Sequence, residues 1–543
     1  LAAAIRYLKD GHTVAVKGIG GYHLLCDARN DAAIARLRAR KPRPSKPLAV
    51  LFPADGRVLN EAVECDAAQL AFLQSPQRPI LLLPKNTSTC LSEQVAPGLN
   101  EIGCMLPYSP LHDLLLEGFG HPLVATSGNL SGEPVITDND EAQGRLANIA
   151  DAILHHNRPI VRPADDAVYR VIAGKPRPLR LGRGVAPLEL ELPHELPEPV
   201  LALGAHTKNA IALAWKNRVV ISPHIGDLSS LKSLETLTRV AEDLQTLYQV
   251  KAVRIVLDKH PSYGYRRFVR ESALPTDEIW HHHAHASALA LEFPHVDNWM
   301  LFAWDGVGLG EDGTLWGGET FIGAPGHWQR MATLRPFRLP GGEQAGREPW
   351  RSAAALLWET GHPAPFAPEL LHEAWLKGIN APVTHAAGRL FDAAAALTGL
   401  CTHASFEGEG PMKLEAAASM RGSFAPIPLP LQQACGALWQ TDWAPLLPML
   451  MDTSRAVSER AAIFHISLAH ALLDQARYLR DQSGISDVGF SGGVFQNKLL
   501  TEIATRLLEQ HGFQVHFPER IPVNDAGVCL GQIMEFLYTE KTQ

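Results

Sequence analysis

Long apolar runs, paired cysteines and an excess of basic residues are all missing from this sequence. No apolar stretch approaches the roughly 18 residues of a membrane span, and residues 1–12 lack a charged head followed by an apolar stretch. No two cysteines form a CxxC pair, which argues against a zinc finger or a disulfide framework. We therefore expect a cytoplasmic protein whose cysteines are buried thiols. The seven cysteines are Cys26, Cys65, Cys90, Cys104, Cys401, Cys435 and Cys529.

The charge balance is acidic. A formal net charge of −8 argues against a general nucleic-acid binder, although it leaves room for a local basic patch. The chain of 543 residues is too long for one hydrophobic core, and roughly 150 residues per domain suggest three or four packed units. Its first residue is Leu rather than Met, which we interpret as the mark of a fragment of a longer protein.

A proline- and glutamate-rich stretch divides the chain. Residues 188–199, LELELPHELPEP, show no clear periodicity, which is typical of a linker between folded units. We expect one domain over residues 1–188, a linker over 189–199, and a second domain over 200–543. Before the linker, short apolar runs alternate with helix-like segments at 31–40 and 140–150, which indicates an α/β fold.

After the linker one pattern occurs twice. Residues 200–215 and residues 300–321 each read as a strand, a polar or glycine-rich turn and a second strand. This repetition predicts an internally duplicated domain with lobes over roughly 200–296 and 297–543. The segment 487–538 then alternates strands with helices at 497–511 and 526–538, which again indicates α/β structure.

Four histidines fall within five positions at the start of an apolar run, HHHAHASALALE, residues 281–292. If this run is helical, His281 and His285 lie on one face, about 5–6 Å apart at Cβ, where two imidazoles can share a metal ion. We expect His282 and His283 to point elsewhere. For an isolated HxxxH pattern, a polar helix start facing solvent is the simpler interpretation, and further ligands must come from distant segments.

Two aspartates and two glycine-rich loops are candidates to complete such a site. Asp305 ends an apolar strand and precedes GVGLG, where backbone can approach a phosphate closely, although it could be an ordinary turn aspartate. In NDAG, Asp525 could merely cap a helix, a role that Asn524 would also fill. The loop SGGVFQN opens a helix after a strand, and helix N-termini favour anions.

The order of these motifs, HHHAH, WDGVGLGEDG, FDAAAALTGL, SGGVFQN and NDAG, resembles the carbamoyl-transferring branch of the actin-like ATPase superfamily. The resemblance implies a two-lobed ASKHA, RNase H-like fold. It also implies a divalent metal, zinc or iron, held by His281, His285, Asp305 and Asp525, with His281 and Asp305 as catalytic residues. The nucleotide pocket it implies contains Gly306, Gly308, Asp392, Gly492, Gly493 and Asn497, with Asp392 on the ribose.

The first half has a separate signature in KGIGGYHLLCDA, RKPRPSKPLAV, LPYSPLHDLL, ATSGNLSGEP and HNRPIVRPADDAV. Its basic run between Arg36 and Lys46 is interrupted by Pro42 and Pro44, so it cannot stay helical. A solvated basic loop is the usual interpretation of such a run alone. Together, however, these motifs resemble the YrdC-like adenylating domain, a twisted mixed sheet that binds ATP with Mg²⁺. The nucleotide-binding residues implied are Lys17, Lys41, Arg43, Ser45, Lys46, Thr126, Ser127, Asn129 and Arg162, of which Arg43 and Lys46 would be catalytic.

A YrdC-like domain followed by this transferase resembles the HypF family, the carbamoyltransferases of [NiFe]-hydrogenase maturation. The resemblance implies that carbamate derived from carbamoyl phosphate reacts with ATP to give carbamoyl-adenylate. The carbamoyl group would then pass to the C-terminal cysteine of HypE, as the precursor of the cyanide ligands. It implies no nucleic-acid or membrane partner. The family's upstream acylphosphatase-like domain and zinc modules are not found in this sequence, which fits the interpretation as a C-terminal fragment.

Two other functions remain as alternatives. A fused enzyme that forms threonylcarbamoyl-adenylate and modifies tRNA would combine the same two domain types, although an acidic chain is a poor tRNA ligand. An ATP-dependent, chaperone-like switch would also suit an actin-type fold. That second alternative leaves the histidine pair and the first half unexplained.

Overall fold

The computed structural model describes residues 1–130, 132–418, 420, 424–434, 436 and 438–539. These residues form two compact units. The first comprises 1–190 together with 206–211 and 220–249, and the second comprises 191–205, 212–219 and 250–543. Among the described ranges, no helix is both long and apolar enough to cross a membrane.

The first unit contains a nine-stranded mixed sheet. Its strands are β1 Val14–Lys17, β2 Tyr22–Asp27, β3 Ala49–Leu51, β4 Ile80–Pro84, β5 Glu101–Met105, β6 Leu123–Ser127, β7 Ala152–Leu154, β8 Val168–Ile172 and β9 Lys175–Arg180. Its early helices are α1 Ala2–Lys9, α2 Asp31–Arg40, α3 Arg57–Ala62, α4 Ala67–Gln74, α5 Pro110–Phe119 and α6 Asn139–Leu146. The strand order is β7-β1-β2-β6-β3-β5-β4-β8-β9.

Local sequence explains several of these elements. Helix α5 begins after Ser109, whose side chain accepts a hydrogen bond from the His112 amide, and Pro110 occupies its first turn. It ends at Gly120, whose φ of 85° most other residues would adopt only under strain. The expected helix at 140–150 is shorter than predicted: α6 ends at Leu146, and the Ile149 amide closes a tighter turn by bonding to the Leu146 carbonyl three residues earlier.

The remaining elements follow in chain order. The strands are β10 Leu188–Glu191, β11 Val200–Ala202, β12 Ala212–Trp215, β13 Arg218–Ile221, β14 Arg254–Asp258, β15 Thr276–Ile279, β16 Trp299–Leu309, β17 Leu315–Gly323, β18 Gln329–Leu334, β19 Phe337–Arg338, β20 Val383–Thr384, β21 Leu431–Gln433, β22 Trp439–Thr441, β23 Asp487–Ser491 and β24 Gln514–His516. The helices are α7 Leu231–Tyr248, α8 Arg266–Ser272, α9 His281–Ala290, α10 Pro349–Glu359, α11 Glu369–Leu376, α12 Ala387–Leu397, α13 Glu409–Ala417, α14 Leu446–Met451, α15 Val457–Ser483, α16 Lys498–Gln510 and α17 Val528–Thr539.

The later part of the chain repeats one sheet topology. In one sheet β11 pairs antiparallel with β12 and parallel with β14, and β14 pairs parallel with β15. In the other sheet β16 pairs antiparallel with β17 and parallel with β23, and β23 pairs parallel with β24. The hairpins expected at 200–215 and 300–321 are therefore equivalent first hairpins of two matching sheets. The predicted α/β class and duplicated architecture are confirmed.

The cysteines only partly match the expectation of buried thiols. Cys26, Cys104, Cys401 and Cys529 are buried, as predicted. The expectation is wrong for Cys90, which is exposed in the loop between β4 and β5, and for Cys65, which is half-buried between α3 and α4. Cys435 lies outside the described residues.

Candidate active sites

Helix α9 places two buried imidazoles side by side. His281 is its first residue and His285 follows one turn later, so their ring centroids lie 4.8 Å apart. Both rings are buried. His282 does not point into a separate environment as expected, because α9 is buried there as well and the His282 ring lies 5.2 Å from that of His281. The His283 side chain points away from this pair, as expected, and its Nε2 lies 3.6 Å from Glu311 Oε1.

Two carboxylates from distant segments meet this histidine pair. Asp305 lies on β16 where the pairing with β17 shifts register, and its Oδ2 is 3.4 Å from His281 Nε2 and 3.7 Å from His285 Nε2. Asp525 places its Oδ1 3.6 Å from His285 Nε2. Asn524 caps the turn by accepting the Ala526 amide, so Asp525 is not needed for capping. One ligand atom from each of the four residues lies within 4.8 Å of the others.

The donor set fits a divalent cation. The Nε2 atoms of His281 and His285 are buried and have no hydrogen-bond partner. The separations of 3.4 to 3.7 Å exceed ordinary hydrogen bonds but match the roughly 3.4 Å between ligand atoms around a tetrahedral metal with bonds of about 2.1 Å. Burial opposes a charge on His281, yet the carboxylates of Asp258 and Asp305 outweigh it and raise the His281 pKa. A cation at this position would relieve that charge imbalance.

Sequence reasoning missed Asp258, a supporting residue behind the histidines. Asp258 ends β14, is buried, and its Oδ2 lies 2.8 Å from His281 Nδ1. A carboxylate on the far nitrogen fixes the ring and directs the other nitrogen toward a metal. The signal was present, since RIVLD ends an apolar strand in Asp just as the strand before Asp305 does. Tyr263 was also missed; burial and the Asp258, Asp525 and Asp305 charges raise its pKa.

The predicted glycine positions surround the same aspartate. The Gly493 amide donates a 2.9 Å hydrogen bond to Asp305 Oδ1. Gly492 has a φ of 98° and passes so close to Trp304 that a Cβ would lie 2.2 Å from its carbonyl oxygen. A Cβ at Gly308 would lie 2.6 Å from both the His281 and the His282 ring. A Cβ at Gly306 would meet no atom closer than the Arg389 guanidinium, at 3.9 Å. Only glycine fits at Gly492 and Gly308.

Two further predicted nucleotide residues already have protein partners. Asp392 is buried and pairs with Arg389 at 2.9 Å; burial raises its pKa to about 6 although Arg389 opposes this. The Asn497 side chain accepts the Leu500 amide at the start of α16, and its Nδ2 lies 3.0 Å from His465 Nε2. Both side chains are therefore held in fixed positions.

In the first unit the basic run meets the ATSGN loop. The Lys41 Nζ donates to the Ser127 carbonyl and, at 2.8 Å, to Asn129 Oδ1. Arg43 donates to Thr126 Oγ1 at 3.2 Å. Burial, with help from the Arg43 charge, lowers the Lys41 pKa to about 7. Five of the nine predicted first-unit residues thus form one cluster.

The side chains of the other four predicted residues differ in their burial and in their partners. Lys17 is buried and its Nζ donates to Asn139 Oδ1 at 2.7 Å. Lys46 is exposed and Ser45 is half-buried, both in the turn after Lys41. Arg162 is exposed and lies 3.8 Å from Asp243. Arg180, which was missed, lies 3.8 Å from Asp165 and acts electrostatically on Arg43.

Comparisons with known proteins agree with this architecture. The model of the Sua5/YciO/YrdC family, described as telomere recombination, matches residues 6–182. The model of the HypF Kae1-like domain matches 195–292. The model of the carbamoyltransferase Kae1-like domain, second subdomain, matches 301–532.

The relatives that match nearly the whole chain include several proteins named carbamoyltransferase HypF. The chain is 39% identical to carbamoyltransferase HypF of Synechocystis over 98% of its own length and 72% of that protein. It is 40% identical to carbamoyltransferase HypF of Rhodobacter capsulatus with the same coverage. The crystal structure of full-length HypF in the phosphate- and nucleotide-bound form superposes with a TM-score of 0.93 at 32% identity, covering 99% of this chain and 86% of that one. The T. kodakarensis HypF structure gives 0.90 at 31% identity, covering 99% and 74%. The chain therefore belongs to the HypF family of ATP-dependent carbamoyltransferases.

Proposed function

We propose that this carbamoyltransferase works in [NiFe]-hydrogenase maturation and divides its reaction between two clusters. The YrdC-like domain, residues 1–188, forms carbamoyl-adenylate, and the Kae1-like domain, residues 200–543, transfers the carbamoyl group to the C-terminal cysteine of HypE. The observation that carries the proposal is that one chain contains both a buried cationic cluster and a buried His/Asp cluster. Neither cluster alone accounts for both activation and transfer.

The first step joins carbamate, derived from carbamoyl phosphate, to ATP. A carbamate oxygen attacks the α-phosphorus, the bond to the oxygen bridging the α- and β-phosphates breaks, and pyrophosphate leaves with the electron pair. Lys41, Arg43 and Lys46 would offset the negative charge that builds up on the phosphates. Thr126, Ser127 and Asn129 orient these cations and the nucleotide. Mg²⁺ would enter with the ATP phosphates.

The second step moves the carbamoyl group to a thiolate. The HypE cysteine sulfur attacks the carbonyl carbon, the bond from that carbon to the phosphate oxygen breaks, and AMP leaves. His281, His285, Asp305 and Asp525 would hold zinc or ferrous iron, which supplies a Lewis acid and a template; affinity order favours zinc. Asp258 holds the His281 ring, the Gly492 and Gly493 backbone lines the nucleotide pocket, and Asp392 would bind the ribose.

A pair of substitutions tests this division. Lys46→Ala should abolish carbamate-dependent ATP–pyrophosphate exchange, because the cationic cluster loses a charge. His281→Ala should leave that exchange intact and lose carbamoyl transfer to the HypE thiol, measured by mass spectrometry of HypE. Lys216→Ala, at an exposed position in the second unit, is the control and should change neither activity. Equal loss of both activities in the two variants would show that the roles are wrongly divided.

A further inference from the structure

In the first unit, Lys17 is a buried cation without a role in the two reaction steps. It ends β1 and is 3% exposed. Its Nζ donates to Asn139 Oδ1 at 2.7 Å and to the His156 carbonyl at 3.3 Å, and both acceptors are neutral. In the part of the chain that the structure describes, Lys17 forms no ion pair and its third N–H has no acceptor. Burying a charge without an opposite charge is costly, so an anion is expected here.

The Asp138 carboxylate does not serve as that anion. It is exposed and caps α6, where its Oδ1 accepts the Asp140 and Glu141 amides, each at 2.9 Å. Its charge acts on Lys17 and Tyr22 from a distance, without forming an ion pair with either residue. A ligand is therefore needed to offset the Lys17 charge fully.

Tyr22 provides an acceptor beside the Lys17 ammonium. The two residues lie opposite one another in the β1–β2 ladder, and the Tyr22 hydroxyl donates to the same Asn139 Oδ1 at 2.8 Å. Burial, with help from the Asp138 charge, raises the pKa of Tyr22 to about 12, so the phenol keeps its proton near pH 7. Its oxygen can still accept a hydrogen bond. Asn139 is half-buried and the neighbouring His155 is exposed, so the group can be reached from solvent.

These side chains share a sheet face with Thr126 of the cationic cluster. Leu24 lies opposite Thr126 in the β2–β6 ladder, and Tyr22 precedes Leu24 by two residues, so all three side chains point to one face. Lys17, opposite Tyr22, points to the same face. Strand β2 separates β1 from β6, which places Lys17 roughly 10 Å from the strand that Arg43 contacts through Thr126. A small anion and an α-phosphate placed end to end bridge a distance of this order.

Backbone hydrogen bonds fix this proximity. Gly128, in the ATSGN loop, donates its amide to the Tyr22 carbonyl, and its own carbonyl accepts the Ile136 amide at 3.0 Å. Asn139 follows Ile136 by three residues, and three residues extend over at most roughly 10 Å. The ATSGN loop and the shared acceptor Asn139 thus belong to one short, tethered segment.

Resting on the proposed adenylation, we infer that Lys17 and Tyr22 bind the carbamate ion, not the nucleotide as the family resemblance implies for Lys17. The Lys17 ammonium donates to the carbamate oxygen that does not react, and the Tyr22 oxygen accepts an N–H of the amino group. The other carbamate oxygen attacks the α-phosphorus, the bond to the bridging oxygen breaks, and pyrophosphate leaves with the electron pair. The carbamate loses its negative charge in this step, so the Lys17 hydrogen bond weakens as the reaction proceeds. Lys17 therefore acts mainly in substrate binding.

The test measures two Michaelis constants in ATP–pyrophosphate exchange by the full 543-residue chain, one for ATP and one for carbamate supplied as ammonium carbamate at constant pH. Lys17→Met should raise the KM for carbamate about 10- to 100-fold, because a hydrogen bond to a charged group is lost. The KM for ATP and kcat should each change less than about threefold, since ground-state carbamate binding alone is removed. Tyr22→Phe should raise the KM for carbamate about 2- to 10-fold, the effect of losing a neutral hydrogen bond.

Lys85→Met is the matched control. Lys85 follows β4 of the same sheet and is also largely shielded from solvent, but its Nζ pairs with Glu93 at 3.0 Å and donates to the Ala96 carbonyl at 3.1 Å. Its loss removes a partly buried lysine from this sheet without removing a carbamate contact. Both KM values should therefore stay unchanged in Lys85→Met.

The outcomes separate this inference from the function on which it rests. An unchanged KM for carbamate in Lys17→Met overturns the inference, and so does a rise confined to the KM for ATP or equal in both KM values. These results leave the proposed adenylation intact. Absence of carbamate-dependent exchange in the unsubstituted chain overturns the adenylation and the inference together. If Lys17→Met fails to fold, an unchanged KM for carbamate in Tyr22→Phe overturns the inference.

Discussion

Lys41 shows how one side chain in the cationic cluster responds to its surroundings. Its Nζ is buried among other cations and contacts Ser127 and Asn129, and burial is the main reason that its pKa falls to about 7. This shift favours the neutral form of Lys41 as the pH rises above 7. A bound phosphate chain favours the protonated form and therefore raises this pKa.

The pH dependence of ATP binding follows from this shift. Above pH 7 free Lys41 loses its proton, so ATP binding must take a proton up, and the ATP dissociation constant should rise with pH, approaching tenfold per pH unit. Calorimetry between pH 7 and 9 in buffers of different ionisation enthalpy measures both the affinity and the proton uptake. Lys41→Arg keeps its charge over this range and should remove most of the dependence. An ATP affinity that is constant with pH in the unsubstituted chain would contradict the expectation.

At the scale of elements, the His/Asp cluster depends on how closely two helices approach. Helix α9 provides both histidines, and α17 begins just after Asp525. The two helices pack so tightly that a Cβ on Gly531 would lie 1.7 Å from the Ala284 carbonyl oxygen. At the end of α9, Glu292 accepts the amides of Glu519, Arg520 and Ile521, which ties the segment leading to Asp525 to the same helix.

Gly531→Ala should therefore separate α9 from α17. Overpacking of this kind costs about 1–3 kcal/mol, so the free energy of unfolding from urea titrations should fall by at least that amount. Gly144→Ala is a matched control, because Gly144 also lies in a helix but has open space around it. It should leave stability unchanged or raise it by up to about 1 kcal/mol. Equal effects from the two substitutions would show that the close approach is unimportant.

At the scale of the whole molecule, charge distinguishes the proposed function from a tRNA-modifying one. The chain carries a net charge of −8, and Lys41 of the first-unit cluster is buried rather than exposed to a large ligand. Binding to nucleic acid depends on many exposed cations that neutralise phosphates.

We accordingly expect no tRNA complex in a gel shift at about 0.15 M salt, with a known tRNA-binding protein as positive control. A shift that persists at this salt concentration would revive the threonylcarbamoyl alternative. ATP should still bind under the same conditions, because Lys41 is buried and a buried charge is screened much less by salt.

Much of this protein could be predicted from local sequence. The apolar runs before the linker become β1, β3, β4 and β6, and the repeated hairpins become the first strands of two matching sheets. The one-turn spacing of His281 and His285 follows from helical periodicity alone. These features depend on interactions between residues near one another in the chain, so a single sequence is enough to indicate them.

The tertiary structure alone decided which distant groups meet. The approach of Asp305 and Asp525 to the histidines, the support of His281 by Asp258, and the grouping of residues 206–211 with the first unit all join segments far apart in the chain. The sequence could not choose between Asn524 and Asp525 as the helix cap, because both are good caps and only the packing of α9 against α17 assigns one to the turn and the other to the histidines. Residue types and local periodicity thus determined the chemistry available, while sheet pairing and helix packing determined which of those groups share a site.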